Sequence, residues 1–344
     1  MSTGVGMSDC CLSGKVHDGT PTGKIEEIGG LQTYVAASKD GSKAKTIVFL
    51  VDIFGWEFKN TRLLADNYAK NGFQVYVPDV HQGDSLPIEF LNAAEPPLKV
   101  REQATLVDKT KNTAIVTTTL PPWLLKHREA VSKPLIDNFI STVRQIPGTG
   151  KVGALGFCWG GRYAILAAHG EVDAAYACHP SLVAVPGDFD PVTKPLSLAV
   201  GDSDSLLDNN TVGQIQDLMA KKTSVPHELR IYEDQVHGFA LRSDWSSDKD
   251  RKAMDESEKQ GVEVSNSDYL ILHTTSLPSS FSSQCHSIRF ILLSNGVSLI
   301  TSARHHSRNI KMLIILCCSG STSIWHRCED TQSRWILAPR RHSV

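Results

Sequence analysis

The stretch Gly153-Ala154-Leu155-Gly156-Phe157-Cys158-Trp159-Gly160-Gly161-Arg162 constrains this chain more than any other. It joins an apolar strand, residues 151–155, to an apolar helix, residues 159–169, through a turn of the form G-x-C-x-G. A turn that tight brings backbone against backbone, so Gly156 and Gly160 occupy places where a Cβ would clash. The side chain between them is pushed into a strained, exposed position, the arrangement of a nucleophile elbow. Here it is the thiol of Cys158. Unpaired N–H groups and the dipole at a helix N-terminus favour the thiolate, which is the nucleophilic form. The competing reading is a small buried cysteine in a glycine-rich strand-to-helix turn.

An elbow needs a sheet to stand on, and the pattern before and after it supplies one. Residues 24–28 and 31–36, joined by Gly29-Gly30, read as a β-hairpin. The run Thr46-Ile47-Val48-Phe49-Leu50-Val51, within residues 44–51, is apolar without alternation, as in strands buried on both faces. An amphipathic helix over residues 60–71 follows, with Leu63, Leu64, Asn67 and Tyr68 on one side and Gly72 closing it. The next buried strand, residues 73–77, completes a crossover unit that is right-handed by rule. Between residues 81 and 119 the signals weaken, and Pro87, Pro96-Pro97 and Pro121-Pro122 suggest an insertion with short helices placed to cap a pocket. Helical pattern resumes at residues 121–129 and 134–145. After the elbow come strand candidates at residues 172–178, 196–200 and 228–232, with a helix over residues 205–222 between the last two. Strand and helix alternate throughout, which argues for an α/β fold with one mostly parallel sheet covered by helices on both faces.

Two of those later strands end in chemistry that a thiol nucleophile requires: a base, and an acid to orient the base. In α/β-hydrolases the chain order is nucleophile, acid, base. The strand over residues 196–200 runs into Gly201-Asp202-Ser203-Asp204, and the strand ending at Tyr232 runs into Glu233-Asp234-Gln235-Val236-His237-Gly238-Phe239. Asp204 and His237 therefore stand in the required order at strand carboxyl ends, with Asp202 as the alternative acid. An oxyanion hole takes one backbone N–H from the residue after the nucleophile, Trp159, and one from the loop after an early strand. In Asp52-Ile53-Phe54-Gly55 that second donor falls at Ile53.

At this point the residues resemble a known family. From residue 17 to residue 260 the chain is similar to the dienelactone hydrolases (carboxymethylenebutenolidases), and in detail to fungal members of that branch of the α/β-hydrolases. The likeness rests on His17-Asp18-Gly19-Thr20-Pro21-Thr22-Gly23, Phe54-Gly55-Trp56-Glu57, Gly156-Phe157-Cys158-Trp159-Gly160-Gly161 and His237-Gly238-Phe239-Ala240. It implies a cofactor-free carboxylic-ester hydrolase that opens a lactone or small activated ester through an acyl-thioester, with Cys158 as nucleophile, His237 as base and Asp204 as acid. In bacterial members a glutamate in the loop after the early strand contacts the resting thiol and helps to ionise it. Asp52, one methylene shorter, holds that place here, so it is the thiol-activating candidate. Arg242, shortly after His237, is a substrate-binding candidate, as is His179 after the strand that follows the elbow.

Bulk properties narrow the alternatives. A formal charge of −2 over 344 residues gives no footprint for nucleic acid. The eight cysteines are too few and too irregular for a disulfide scaffold. With no apolar leader at the start, a cytoplasmic enzyme with no membrane partner is expected, as a monomer or weak dimer. The longest apolar run in the last part of the chain, residues 312–318, falls far short of a membrane span. No metal is expected: Cys10 and Cys11 are adjacent, poor geometry for chelating one ion, and Cys158, Cys178, His179 and His237 fit no common zinc spacing. Three divisions are expected: an arm over residues 1–22, a hydrolase domain over residues 23–260, and a tail over residues 261–344. The tail holds eight of the Lys/Arg against four of the Asp/Glu and half of the cysteines, without sustained periodicity. It reads as disordered or as a gene-model or splicing artefact, such as translated intron or altered frame, the alternative being a genuine extension that orders on a partner. The functional alternatives to ester hydrolysis are acyl transfer or thioester cleavage on the same triad, and a non-catalytic binding protein on a hydrolase fold.

Overall fold

An unbroken apolar run has no face to offer to water, and Lys45–Leu50 (β3) lies inside a sheet with every residue after Lys45 buried. The computed structural model describes residues 16–87, 90 and 103–266, and the backbone of residues 298–306, 309–318 and 321–326. Around β3 stand β1 (Lys24–Ile28), β2 (Leu31–Ala36), β4 (Gln74–Pro78), β5 (Lys151–Phe157), β6 (Ala174–Cys178), β7 (Leu196–Gly201) and β8 (His227–Tyr232). They pair in the order β1-β2-β4-β3-β5-β6-β7-β8. From β4 to β8 every neighbouring pair is parallel, while the β1–β2 hairpin joins β4 antiparallel. The strand that runs into the elbow, β5, thus sits near the middle, between β6, buried throughout, and β3, buried after Lys45.

The helix Lys59–Lys70 (α1) links β3 to β4, but of the expected side, Leu63, Leu64, Asn67 and Tyr68, only Tyr68 is buried. Asn60, Thr61, Ala65, Asp66, Tyr68 and Ala69 are buried, and Leu64 only partly so. The polar residues on that face are occupied. Asn60 accepts from the His17 N–H at 2.7 Å and donates to the Leu241 carbonyl at 2.7 Å. Asp66 accepts from the Tyr34 hydroxyl and from the Thr22 N–H, each at 2.7 Å. Hydrogen bonding to the N-terminal strap outweighed hydrophobic period in choosing this face. The expected arm is therefore pinned from residue 17 onward, while Cys10 and Cys11 lie outside the described residues.

The insertion also differs from expectation. Its later part holds one helix longer than the short ones expected, Leu106–Lys126 (α2), which starts at a Thr105/Asp108 capping box and carries Pro121 and Pro122 inside it, while residues 88–89 and 91–102 lie outside the described residues. Its threonines conceal it in sequence, since β-branched residues lower helix propensity, yet Thr110, Thr117 and Thr118 each bond back to a carbonyl of the preceding turn. Glu129–Gln145 (α3) follows at once, starting before Pro134 rather than at it.

Trp159–Ala167 (α4) leaves the elbow, Asn209–Ala220 (α5) links β7 to β8, and Phe239–Arg242 (α6) is a single turn after His237. The last helix of this unit, Asp248–Ser265 (α7), crosses the boundary expected at Gln260 and runs to Ser265. It is clamped to the sheet by a polar clasp: buried Gln260 donates to the Leu198 carbonyl at 3.0 Å and accepts from the Tyr232 hydroxyl at 2.8 Å. A Cβ on Gly261 would meet the Tyr68 hydroxyl at 2.1 Å, so the helix lies as close to the core there as a backbone can. Separately, in the unit Ser276–Val344, Ser298–His306 (β9), Asn309–Cys318 (β10) and Ser321–His326 (β11) form an antiparallel sheet in the order β11-β10-β9. Among the described residues no helix is long and apolar enough to cross a membrane.

Candidate active site

The site is assembled at the carboxyl ends of neighbouring parallel strands, where open α/β sheets leave room for ligands. At the end of β5, Cys158 has φ 54° and ψ −118°, a conformation that costs a non-glycine residue strain, but its side chain is buried rather than exposed as the turn alone suggested, because the loops that follow β3 and β6 close over it. The glycines around it are required in the way their spacing suggests. A Cβ on Gly156 would stand 2.2 Å from the Gly160 carbonyl oxygen, and one on Gly160 would stand 2.1 Å from that of Leu50. Contact that close joins the start of α4 to the end of β3, and the Gly160 N–H donates to the Val51 carbonyl at 3.1 Å.

That junction brings the loop after β3 against the start of α4. In the loop over residues 52–55, the Phe54 N–H donates to Asp52 Oδ1 at 3.0 Å and the Gly55 N–H to the Asp52 carbonyl at 3.0 Å. Ile53 N–H is left over, as is that of Trp159, the first residue of α4: neither donates to a protein group among the described residues. Unpartnered backbone donors of this kind are what an oxyanion requires.

At the ends of β7 and β8, His237 Nδ1 lies 2.9 Å from Asp204 Oδ2, with both side chains buried. Asp204 also accepts from the Leu206 N–H at 2.8 Å, which fixes its carboxylate. Asp202 turns elsewhere, accepting from the Ser203 hydroxyl, so the acid beside His237 is Asp204. Nor is Asp204 the cap of the following helix, because α5 begins at Asn209 and is capped by Asp208.

The thiol-activating candidate and one substrate-binding candidate are paired with each other. Arg242 Nη1 donates to Asp52 Oδ2 at 2.5 Å across 190 residues of sequence, and its guanidinium lies over the Phe54 ring at 5.2 Å. Burial raises the Asp52 carboxyl above the ordinary carboxylate range, and Arg242 opposes that rise. Gly238 makes room for the pair: a Cβ there would meet Arg242 Nη2 at 2.0 Å.

The other substrate-binding candidate, His179, is fully buried behind the site. Its ring lies against His237, centroids 5.0 Å apart, and against Phe157 and Phe239. Neither ring nitrogen has a hydrogen-bond partner among the described residues, and burial drives its pKa well below the ordinary value. His179 and Leu182 both have positive φ, 38° and 60°, bracketing Pro180-Ser181. That strained loop wraps the elbow through the Ser181 N–H to Cys158 carbonyl bond at 3.0 Å, while the Cys158 N–H donates to the Cys178 carbonyl at 3.2 Å. Ser181 Oγ stands 3.8 Å from Cys158 Sγ. Nothing in the spacing of the sequence flags this serine.

A second polar group lies under α2. His81, after β4, is buried with its ring 4.9 Å from that of Trp159 and 5.0 Å from that of Trp123. Burial lowers its pKa to about 3, so it is a neutral ring at ordinary pH. Asp84 ties the helix down, accepting from the Trp123 indole through its backbone at 2.6 Å and from His127 and Lys126 at 2.8 Å each. The insertion thereby places Trp123 against the elbow tryptophan. Among the described residues no group of three or more His, Cys, Asp or Glu side chains could hold a metal ion.

Comparison with known proteins agrees with this architecture. The model of the Dienelactone hydrolase family matches residues 31–264. Hydrolase pyvD of Aspergillus violaceofuscus is 29% identical over 76% of this chain and 96% of its own length. Dienlactone hydrolase 1 of Gibberella moniliformis is 26% identical over 68% and 83%. The human carboxymethylenebutenolidase homolog is 24% identical over 70% and 89%. Among solved structures, a dienelactone hydrolase described as putative from Klebsiella pneumoniae superposes with a TM-score of 0.52 at 17% identity, over 71% of this chain and 98% of its own.

Proposed function

The chain belongs to the dienelactone hydrolase family, whose members are hydrolases, and we propose that it cleaves a lactone or small activated ester with Cys158, His237 and Asp204. The observation that carries this reading is the strained thiol at an elbow, next to two spare amides, with a buried histidine–carboxylate pair at the ends of the following strands. With Nδ1–H donated to Asp204, His237 presents Nε2 as the proton acceptor.

His237 Nε2 takes the proton of the Cys158 thiol, and the thiolate attacks the substrate carbonyl carbon, forming a C–S bond as the π electrons move onto oxygen. The Ile53 and Trp159 N–H groups bind that oxyanion. Collapse re-forms the carbonyl and breaks the C–O bond of the ester, and His237 protonates the leaving alkoxide. Water, losing its proton to His237, then cleaves the thioester and returns the acid product and the thiolate.

Asp52 and Arg242 act on this reading as one compensated unit that fixes the oxyanion loop. Because its charge is already matched, Arg242 offers little to a substrate carboxylate, which favours neutral esters and lactones over the anionic dienelactone. His179 backs His237 instead of meeting substrate. The test is hydrolysis of a neutral aryl acetate and of a dienelactone by the native chain beside Cys158→Ala. Cleavage of the acetate, its preference over the dienelactone, and loss of at least roughly 10³-fold in the variant are expected. Equal rates for native chain and variant on both compounds would count against the thiol mechanism.

A further inference from the structure

A thiol nucleophile needs a group that favours its ionised form, and the carboxylate expected to supply it is otherwise engaged. Asp52 Oδ2 takes the Arg242 guanidinium and Oδ1 takes the Phe54 N–H. What does lie against the sulfur is a hydroxyl, Ser181 Oγ, at 3.8 Å. Three features make that contact a built one. Ser181 is buried, at 4% exposure, and its hydroxyl has no other hydrogen-bond partner among the described residues. Its backbone is fixed independently of the side chain, by the Ser181 N–H to Cys158 carbonyl bond and the Cys158 N–H to Cys178 carbonyl bond. And the loop is held in a costly conformation, with positive φ at His179 and Leu182 on either side of Pro180-Ser181 and at Cys158 opposite. The approach is as close as the backbones allow, since a Cβ on Gly161 would come within 2.9 Å of Pro180 Cα.

Resting on the thiol-nucleophile reading above, we propose that the Ser181 hydroxyl donates a hydrogen bond to Cys158 Sγ and holds the sulfur as the thiolate. A thiol can share the contact in either direction, but a thiolate can only accept, so ionisation commits the serine proton to the sulfur. A hydrogen bond to an ion is about twice as strong as one between neutral groups, so the contact favours the charged form.

The test is the pH dependence of Cys158 alkylation by iodoacetamide, read by mass spectrometry of the Cys158 peptide so that other cysteines do not contribute. The other titratable groups of this corner are His179 on the β6 loop, Asp204 on the β7 loop, His237 on the β8 loop, and Asp52 and Arg242 on the β3 loop and α6. All are retained in Ser181→Ala. The expected result is alkylation slowed about tenfold near pH 7, the size of a hydrogen bond to a charged group, with the rates of native chain and variant converging as the pH is raised. Ser181→Thr, which keeps the hydroxyl, should restore the native profile. Superimposable profiles for native chain and Ser181→Ala would overturn the proposal, and so would a slowing that is equal at every pH, which marks a steric effect. Because alkylation needs no substrate, the outcome is separate from the hydrolytic reading: if hydrolysis survives Cys158→Ala while the alkylation profile still shifts in Ser181→Ala, the thiolate contact stands and the catalytic reading falls.

Discussion

The β6 and β8 loops each end a strand beside the elbow, and each buries a histidine, yet the two rings are equipped differently. His237 of the β8 loop has a carboxylate at 2.9 Å on Nδ1, whereas His179 of the β6 loop, 5.0 Å away ring to ring, has no hydrogen-bond partner among the described residues on either nitrogen. A buried imidazole without an acid beside it is held neutral by desolvation and can only pack. A buried imidazole with one is fixed in tautomer and orientation, and a positive charge on it is compensated when a proton arrives. Depth is common to both loops; the acid at the end of β7 distinguishes them. The β6 loop makes its contribution through backbone and a hydroxyl, by bracketing Cys158.

The comparison is most easily broken at His237. His237→Gln keeps a hydrogen-bonding side chain but removes the base, and steady-state hydrolysis of an aryl acetate is expected to fall by roughly 10³-fold or more, mainly in kcat. A variant that keeps a tenth of native activity would mean that another group moves the proton. Asp204→Asn is expected to cost about 10²-fold or more, through the wrong imidazole tautomer and loss of the compensating charge. If Asp202→Asn cost as much, the pairing seen here would not be the one used in turnover.

The smallest effects on turnover belong to His179. His179→Asn, a residue that tolerates positive φ, is expected to change kcat by no more than about tenfold while altering acid stability. The sign follows from the depressed pKa. Below an unfolded value of about 6.5 the unfolded chain takes up a proton that buried His179 refuses, so stability falls as pH drops. His81, lowered to about 3, acts in the same direction, and Asp52, raised by burial, acts in the opposite one. Thermal melts from pH 7.5 to pH 4.5 should therefore show a steeper acid loss in the native chain than in His179→Asn. Parallel curves would mean that His179 is not a buried neutral ring in solution.

How much of this was legible in advance follows the range of the interaction concerned. The unbroken run of β3 and the glycines of the elbow are local constraints, and both held to within a few residues. The pairing of Asp204 with His237 was readable because strand ends recur in a fixed sequence along an α/β chain. What could not be read was long-range or masked by composition. Asp52 and Arg242 each carry a plausible solitary role, and only the fold, closing 190 residues of chain, shows that they neutralise each other. Ser181 has no motif because its position comes from backbone bonds to the elbow. The helix α2 was hidden by threonines and an internal Pro121-Pro122, and the buried face of α1 by polar residues that bind the N-terminal strap.

The central claim is that the carbonyl carbon becomes bonded to Cys158 sulfur. The most direct measurement is rapid acid quench of the native chain turning over an aryl acetate, followed by peptide mass spectrometry. One acetyl group on the Cys158 peptide, released on standing and absent from Cys158→Ala, is the predicted result. An acetyl group on another residue, or steady hydrolysis in Cys158→Ala at the native rate, would contradict it.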